Sequence, residues 1–301
     1  MAFTKTAGLV DGAGLVESFG LGGSAGLFQK GVIPNILDLQ PAAAYSLRSF
    51  DADADPNVVN VRRSSDGATS DFTASEVSDG TLTSWVGAGN DGHVTTWYDQ
   101  SDNGNDSTQS TASAQPKIVD GGTLVTGGLD FDGVSSLMDI NGLVIESTEY
   151  YMTAVIDLDF IPNNALQTIF DCSDEQNAGA ALAYSNNGLQ LTPFMFDGDD
   201  TSVNVFSGGA NLTTDKTLVG CQFKSGASES YINGGVNSTL SNTWTSAGTN
   251  TFTKSTIGYD QSIGGRNING KLAELLVYES DQSANRTGIE NNINDHFDIY
   301  S

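Results

Sequence analysis

Short runs of β-branched and aromatic residues alternate with Gly, Asn, Asp and Ser along most of this 301-residue chain. Such a pattern predicts short strands joined by tight polar turns. The clearest strand is predicted over residues 150–160, where Tyr150, Met152, Ala154, Ile156, Leu158 and Phe160 fall on one side and Thr153, Asp157 and Asp159 on the other. This alternation predicts one buried and one solvated face, as in an antiparallel sheet. The predicted fold class is therefore all-β.

Ten further segments have the composition of strands. They are residues 57–63, 94–98, 129–131, 167–172, 180–185, 189–196, 217–223, 229–232, 254–257 and 271–278. This number is sufficient for two stacked sheets that share one core. Near the C-terminus, Ser283 can cap a helix that carries Ile289, Ile293 and Phe297 on one stripe. One or two helical turns are also predicted within residues 42–50.

The charge balance narrows the classes of partner. Twelve basic residues stand against 37 acidic ones, for a formal net charge of −25. Such a charge repels nucleic-acid backbones and anionic lipid surfaces, so neither is an expected partner. No stretch reaches the about 20 apolar residues that cross a bilayer, and residues 1–20 do not read as a secretory leader, so folding in a cytoplasm is expected. Two cysteines, Cys172 and Cys221, lie within apolar runs and are predicted to be buried thiols.

Four phrases carry a family resemblance: VNVRRSSDGATSDF, VTTWYDQSDNGNDSTQ, QPKIVDGG and LDFDGV, in this order between Val59 and Val134. They resemble the catalytic domain of fungal α-L-arabinofuranosidase B, and more closely the copies of that segment in phage virion proteins. The tail IGGRNINGKLAELLVYESDQSANRTGIENNINDHF resembles the last strand and closing helix of concanavalin A-like (laminin-G-like) sandwiches. The resemblance implies an antiparallel β-sandwich of the jelly-roll type.

The first 40 residues differ in composition from the rest, because they are Gly-rich and apolar. Such sequence needs a surface to order it. Either it docks on neighbouring subunits of an assembly, or it adds strands to the chain's own sandwich. The predicted organisation is a docking arm over residues 1–40 and a sandwich over 41–301. Within the sandwich, residues 41–128 are the arabinofuranosidase-like segment and residues 129–301 the main body.

Glycoside hydrolysis, which the resemblance includes, needs two carboxyl groups on opposite sides of a sugar. The glutamates after residue 133 are few, and no counterpart of the glycosidase's nucleophile motif is found there. Glu274 lies within a predicted strand and is interpreted as structural. The two histidines, His93 and His296, are far apart and have no metal-ligand spacing. No catalytic residue is therefore assigned.

Two binding sites are predicted from loops. DQSDNGND begins with the spacing of a calcium loop, but Ser110 stands where such a loop requires Glu. A looser oxygen cage remains, and calcium is the only candidate cofactor, with the candidate ligands Asp99, Asp102, Asn103, Asn105 and Asp106. Trp244 and Tyr259 lie near loops and are the candidate platforms for a sugar.

These observations predict a non-enzymatic phage virion structural protein, either a capsid decoration or a tail or fibre component. It is expected on the virion surface after synthesis in the host cytoplasm. Residues 1–40 would bind other virion proteins, and the lectin-like sandwich would bind surface glycans. A homo-oligomer is expected, with a trimer favoured. The alternative is an arabinofuranosidase-like glycoside hydrolase that acts on polysaccharide.

Overall fold

Antiparallel pairing joins twenty strands into one continuous sheet within the part of the chain that the structure describes. The structure, a computed structural model, describes residues 35–143, 147, 149–159, 166–173, 179–185, 190–196, 203–205, 210–240, 254–261 and 265–301. The compact unit to which these residues belong runs over Ile33–Ser301. The predicted all-β fold class is confirmed.

The strands, in chain order, are β1 (Ala43–Ser46), β2 (Asn57–Arg63), β3 (Thr69–Thr73), β4 (Gly92–Trp97), β5 (Ser107–Thr108), β6 (Lys117–Asp120), β7 (Thr123–Leu124), β8 (Leu129–Asp132), β9 (Met138–Asn141), β10 (Tyr150–Leu158), β11 (Leu166–Asp171), β12 (Ala180–Ser185), β13 (Gln190–Leu191), β14 (Phe194–Phe196), β15 (Val203–Val205), β16 (Thr217–Phe223), β17 (Ser228–Ile232), β18 (Gly235–Leu240), β19 (Lys254–Ile257) and β20 (Asn269–Tyr278). The helices are α1 (Ala74–Ser78), α2 (Thr81–Val86) and α3 (Arg286–Phe297), with 3-10 turns at Ile36–Leu39 and Ala112–Ala114.

The sheet folds over into two layers. One layer has the strand order β18, β17, β16, β10 and β20, and the far edge of β20 pairs with β8 along one half and with β1 along the other. The second layer contains β9, β19, β11, β12, β14 and β15 in that order. Strand β4 pairs with β2, β5 and β6 and so connects the two layers. One apolar core contains residues from both, such as Met152 and Leu275 from the first and Phe170 and Leu182 from the second.

Strand β10 confirms the predicted inner face and corrects the outer one. The side chains of Tyr150, Met152, Ala154, Ile156 and Leu158 all lie in the shared core. The opposite face is solvated as predicted only at Asp157, which is half-buried, and at Asp159, which is exposed, whereas Tyr151, Thr153 and Val155 are buried. Phe160, which was predicted on the inner face, lies outside the described residues. Helix α3 and the turn Ile36–Leu39 pack on this side and make a second apolar cluster there. A helix that covers a sheet removes the solvated face that alternation alone implies.

A β-bulge in β20 determines on which face of the sheet the side chain of Glu274 lies. Val155 lies opposite Glu274, whereas the next residue of β10, Ile156, lies opposite Leu272, so Ala273 is the extra residue of β20. A bulge shifts the side-chain alternation by one position. Glu274 therefore shares the outer face with Leu276 and Tyr278. There it is 1% exposed and forms a bidentate ion pair with Arg48, at 2.8 and 3.1 Å.

The predicted C-terminal helix is confirmed, although its N-cap is Asn285 rather than Ser283. Ile289 and Ile293 are fully buried, and Phe297 packs against the same cluster. The prediction of helical turns within residues 42–50 is wrong, because residues 43–46 form β1 at the edge of β20. Cys172 and Cys221 are buried free thiols, as predicted.

Two short helices were not predicted, α1 and α2. Thr73 and Glu76 form a reciprocal capping box that begins α1, and Leu82 and Val86 of α2 are buried. Among the described residues no helix has the length and apolarity to cross a membrane. Residues 1–34 of the predicted docking arm lie outside the described residues, so the arm and the boundary at residue 41 stay predictions.

Because both faces of β10 are buried, we expect a substitution on its outer face to lower the free energy of unfolding. Val155 is 1% exposed on the outer face, whereas Val236 on the edge strand β18 is 55% exposed. Val155→Ala should lower the free energy of unfolding by about 2 kcal/mol, because it removes two buried methyl groups and leaves a cavity. The same deletion in Val236→Ala should change it by less than about 0.5 kcal/mol. Equal effects in urea unfolding would contradict the assignment of helix α3 as the cover of this face.

Candidate functional site

Two aspartates, Asp171 and Asp260, lie together with no exposed surface, and we take them as the candidate site. Asp171 is the last residue of β11, and Asp260 lies three residues after the end of β19. Strands β11 and β19 are hydrogen-bonded neighbours, in which Asp171 pairs with Thr256. The two aspartates therefore come from two neighbouring antiparallel strands of the second layer.

A tight turn after β19 brings Asp260 back over the end of β11. Gly258 begins it with φ +79°, and a Cβ at this position would lie 2.7 Å from the ring of Phe131, so glycine is required on both counts. The Oγ1 of Thr256 donates to the carbonyl oxygen of Tyr259 at 2.6 Å and closes the turn. The backbone N–H of Gln261 then donates to Oδ2 of Asp171 at 3.1 Å.

The carboxyl of Asp171 is held on both oxygens. Its Oδ1 accepts from the backbone N–H of Ser173 at 2.8 Å and from the Ser173 hydroxyl at 2.6 Å. Burial raises the pKa of Asp171 to about 7, Ser173 and Gln261 offset part of the rise with their hydrogen bonds, and the nearby charge of Asp260 adds to it. A carboxyl of this kind exchanges its proton near neutral pH, which is uncommon outside functional sites.

Asp260 has a different environment. Its Oδ2 accepts a hydrogen bond from Nη1 of Arg266 at 2.7 Å, and this ion pair is buried on the aspartate side. A guanidinium in contact with a buried carboxylate favours its ionised form. The site thus places a carboxyl that holds a proton near neutral pH beside one that an arginine neutralises. That combination can serve acid–base chemistry.

The two residues predicted as sugar platforms differ in what the structure shows of their position. Tyr259 is half-buried and directly precedes Asp260, so the sequence-based choice lies next to the candidate site. Trp244 lies outside the described residues. Binding of a sugar by either residue stays a prediction.

The predicted calcium loop ties β1 to the end of β4. Asp99 Oδ1 accepts from the backbone N–H groups of Ala44 and Ser101, and Oδ2 accepts from Ser101 Oγ at 2.6 Å and from the N–H of Asn105 at 3.0 Å. Asp106 accepts from the N–H of Asp99.

The other three predicted ligands differ in their surroundings. The side-chain amides of Asn103 and Asn105 donate to the carbonyls of Pro41 and Ala42, at 2.9 and 2.8 Å, whereas Asp102 is exposed at φ +66°. Among the described residues no cluster of three His, Cys, Asp or Glu is arranged to hold a metal. Calcium at this loop, with its backbone and amide oxygens, stays a prediction.

Neither Asp171 nor Asp260 is among the residues predicted from the sequence. A signal was present, since each aspartate comes at the end of an apolar run, in QTIFD and in STIGYD. An acidic residue at the end of a buried strand is a candidate for an active-site loop. The pairing of β11 with β19 was needed to show that these two belong together.

Solved structures with a similar fold include arabinofuranosidases. An arabinofuranosidase complexed with arabinofuranosyl-α-1,2-xylobiose matches with a TM-score of 0.56 at 15% identity, over 83% of this chain and 62% of that chain. A GH54 α-L-arabinofuranosidase soaked with a cyclic sulfate inhibitor matches with a TM-score of 0.52 at 16% identity, over 84% and 63% of the two chains. A glutamate-to-glutamine variant of GH54 α-L-arabinofuranosidase, soaked with 4-nitrophenyl α-L-arabinofuranoside, gives a TM-score of 0.51 at 17% identity, over 84% and 63%. No family model and no curated protein matches the chain.

This chain shares its fold with arabinofuranosidases. It spans about three fifths of the length of those proteins. The prediction of a non-enzymatic phage virion protein is wrong, because the similar structures are glycoside hydrolases and none of the comparisons shows a phage origin. The arabinofuranosidase part of the resemblance is the part that the fold supports.

The raised pKa of Asp171 predicts a pH-dependent stability. The folded value of about 7 exceeds the value of about 3.9 expected in the unfolded chain, so the folded protein binds more protons between these pH values. Asp171 therefore destabilises the fold progressively as pH rises from about 4 to about 7. In Asp171→Asn the slope of the unfolding free energy against pH should become more positive there, by up to about 1.4 kcal/mol per pH unit.

Asp132 supplies the matched control with the opposite sign. Burial opposes its ionisation, but N–H groups of Val134, Ser135 and Ser136 and the Ser135 hydroxyl together lower its pKa. Its contribution to stability is present above about pH 4 and is lost below it. Asp132→Asn should lose stability at neutral pH and keep the wild-type slope between about pH 5 and 7. A wild-type slope in Asp171→Asn would contradict the pKa assignment.

Proposed function

We propose that this chain is a glycoside hydrolase that cleaves α-L-arabinofuranosides, and that the Asp171–Asp260 pair supplies its proton-donating carboxyl. The observation that carries the proposal is a buried pair of aspartates, one of which has a pKa of about 7, on the fold of arabinofuranosidases. The proposal concerns only the part that this chain shares with the first similar arabinofuranosidase, which is 62% of that protein's chain.

The proposed reaction needs a carboxyl that can give up a proton at neutral pH. As the bond between the anomeric carbon and the leaving oxygen breaks, the carboxyl proton passes to that oxygen. Water supplies the hydroxyl that ends on the anomeric carbon, and its remaining proton restores the carboxyl. Arg266 would keep Asp260 charged through this cycle, because it stays in contact with that carboxylate at 2.7 Å.

Two substrates named with the similar structures support the choice of sugar. One arabinofuranosidase was crystallised with arabinofuranosyl-α-1,2-xylobiose, and the GH54 variant was soaked with 4-nitrophenyl α-L-arabinofuranoside. The first has a sugar as leaving group and the second a nitrophenol. A sugar hydroxyl needs protonation to leave, whereas a nitrophenol leaves as the anion. This difference separates a proton donor from a residue that only supports the fold.

We therefore expect both substrates to be hydrolysed by the wild-type chain, as measured by release of arabinose and of 4-nitrophenol. Asp171→Asn and Asp260→Asn should each be tested. At least one should lose about 10²- to 10⁴-fold in kcat/KM on the xylobioside and far less on the nitrophenyl substrate, because only the first depends on the proton.

Asp66→Asn is the control for removal of a carboxylate. Asp66 is exposed and pairs with Arg63 at 2.7 Å in a turn outside the site, so activity on both substrates should be unchanged. Absence of turnover by a folded wild-type chain would reject the proposal. Equal losses on the two substrates in both variants would reject the proton-donor role.

A further inference from the structure

A cleft of about 650 Å³ lies beside the outer face of the first layer, and it gathers positive charge in an acidic protein. Its lining comes from the end of β1, helix α1, residues 124–128, and the end of helix α3. Three basic side chains line it: Arg48, Lys216 and His296. The chain has only 12 lysines and arginines and two histidines against 37 acidic residues, so this grouping differs from the charge of the whole.

Arg48 is fixed in place at the cleft. Its Nε and Nη2 contact the buried Glu274, and Nη2 also donates to Oδ1 of Asn292 at 2.9 Å. The guanidinium carbon lies 5.1 Å from the ring centre of Phe50 and 5.9 Å from that of Phe297. Its Nη1 has no hydrogen-bond partner among the described residues. An arginine held by a buried carboxylate and two rings offers a preorganised donor.

Lys216 carries a charge that no carboxylate of the described residues neutralises. It is half-buried, and its Nζ lies 5.7 Å from the ring centre of Phe297. The ion pairs found among the described residues do not include it. Burial lowers the pKa of His296, and the charges of Arg48 and Lys216 lower it further while Glu274 opposes them, so this ring is neutral at pH 7.

The charges of Arg48, Lys216 and Glu274 therefore sum to one positive charge, and the carboxylate of Asp157 lies behind the lining residue Gly127 and is not itself part of the lining. Arg48 and Lys216 contribute two, and Glu274 offsets one. A ligand with a single negative charge completes the balance, whereas a dianion such as a phosphate monoester would leave one charge without a partner in a partly buried place. This charge balance favours a ligand that carries a single carboxylate.

The remaining walls favour an apolar body on that ligand. Leu47, Val77, Leu124 and Val125 line the cleft together with the ring of Phe297. A volume of about 650 Å³ is within the range of small-molecule sites, which combine apolar walls with a few fixed polar groups. We infer that this cleft binds an organic monocarboxylate with a compact apolar body, its carboxylate held by Lys216 and the free Nη1 edge of Arg48.

The inference is independent of the proposed hydrolysis. The cleft and the Asp171–Asp260 pair share no lining residue, and Glu274 and Asp260 belong to different layers. Either can fail without the other.

The test uses the full chain and three probes of one shape: 4-phenylbutyrate, its neutral amide and 4-phenylbutylamine. Isothermal titration at pH 7 should show binding of the acid and at least tenfold weaker binding of the amide, because the amide lacks the charge that strengthens the hydrogen bonds to Lys216 and Arg48. Lys216→Met keeps the apolar stem of the side chain. It should weaken binding of the acid by about tenfold and leave the affinity for the amide unchanged. Lys216→Glu should reverse the preference, so that the amine binds better than the acid.

Lys224→Met is the matched control, because Lys224 pairs with Asp281 at 3.2 Å outside the cleft. It should bind all three probes like the wild type. Equal affinity of the acid and the amide for the wild-type chain would overturn the inference. Unchanged affinity of Lys216→Met for the acid would overturn it too, as would the absence of binding at millimolar concentrations.

Discussion

Burial of strand β20 on both faces is the constraint on which the rest of this structure depends. Its inner side chains, such as Leu275, enter the core between the layers, and its outer ones, such as Leu276, enter the cluster under helix α3. A strand in the middle of a sheet with two apolar faces needs a cover on each side, since exposed apolar area costs about 25 cal/mol per Å². The second layer covers one face and helix α3 the other.

The double burial also explains the charges on the outer face. The bulge at Ala273 directs Glu274 under the helix, where an unpaired carboxylate would be strongly unfavourable. Arg48 satisfies it and is itself held between Phe50 and Phe297. The cationic cleft is therefore a consequence of how the sandwich buries its central strand. Lys216 adds a second positive charge beside it, over the ring of Phe297.

The acidic pair arises at the other layer for a different reason. Strands end where their hydrogen-bonded ladder ends, and the turns there can carry polar groups into partly buried positions. At β11 and β19 the turn through Gly258 brings Asp260 beside Asp171, and both side chains are buried. Their opposite environments, one hydrogen-bonded and proton-holding and one paired with Arg266, follow from which residues that turn brings near them.

Local pattern alone determined the class of fold, the inner face of β10 and the stripe of Ile289 and Ile293 on the closing helix, because these depend on periodicities of two and 3.6 residues along the chain. It did not determine the buried outer face of β10, since the covering helix is more than 120 residues away in sequence. It missed β1, whose strand conformation comes from pairing with β20. Only the tertiary structure brought Asp171 to Asp260 and Arg48 to Lys216, because each pair joins segments whose proximity is set by strand order and not by any local preference.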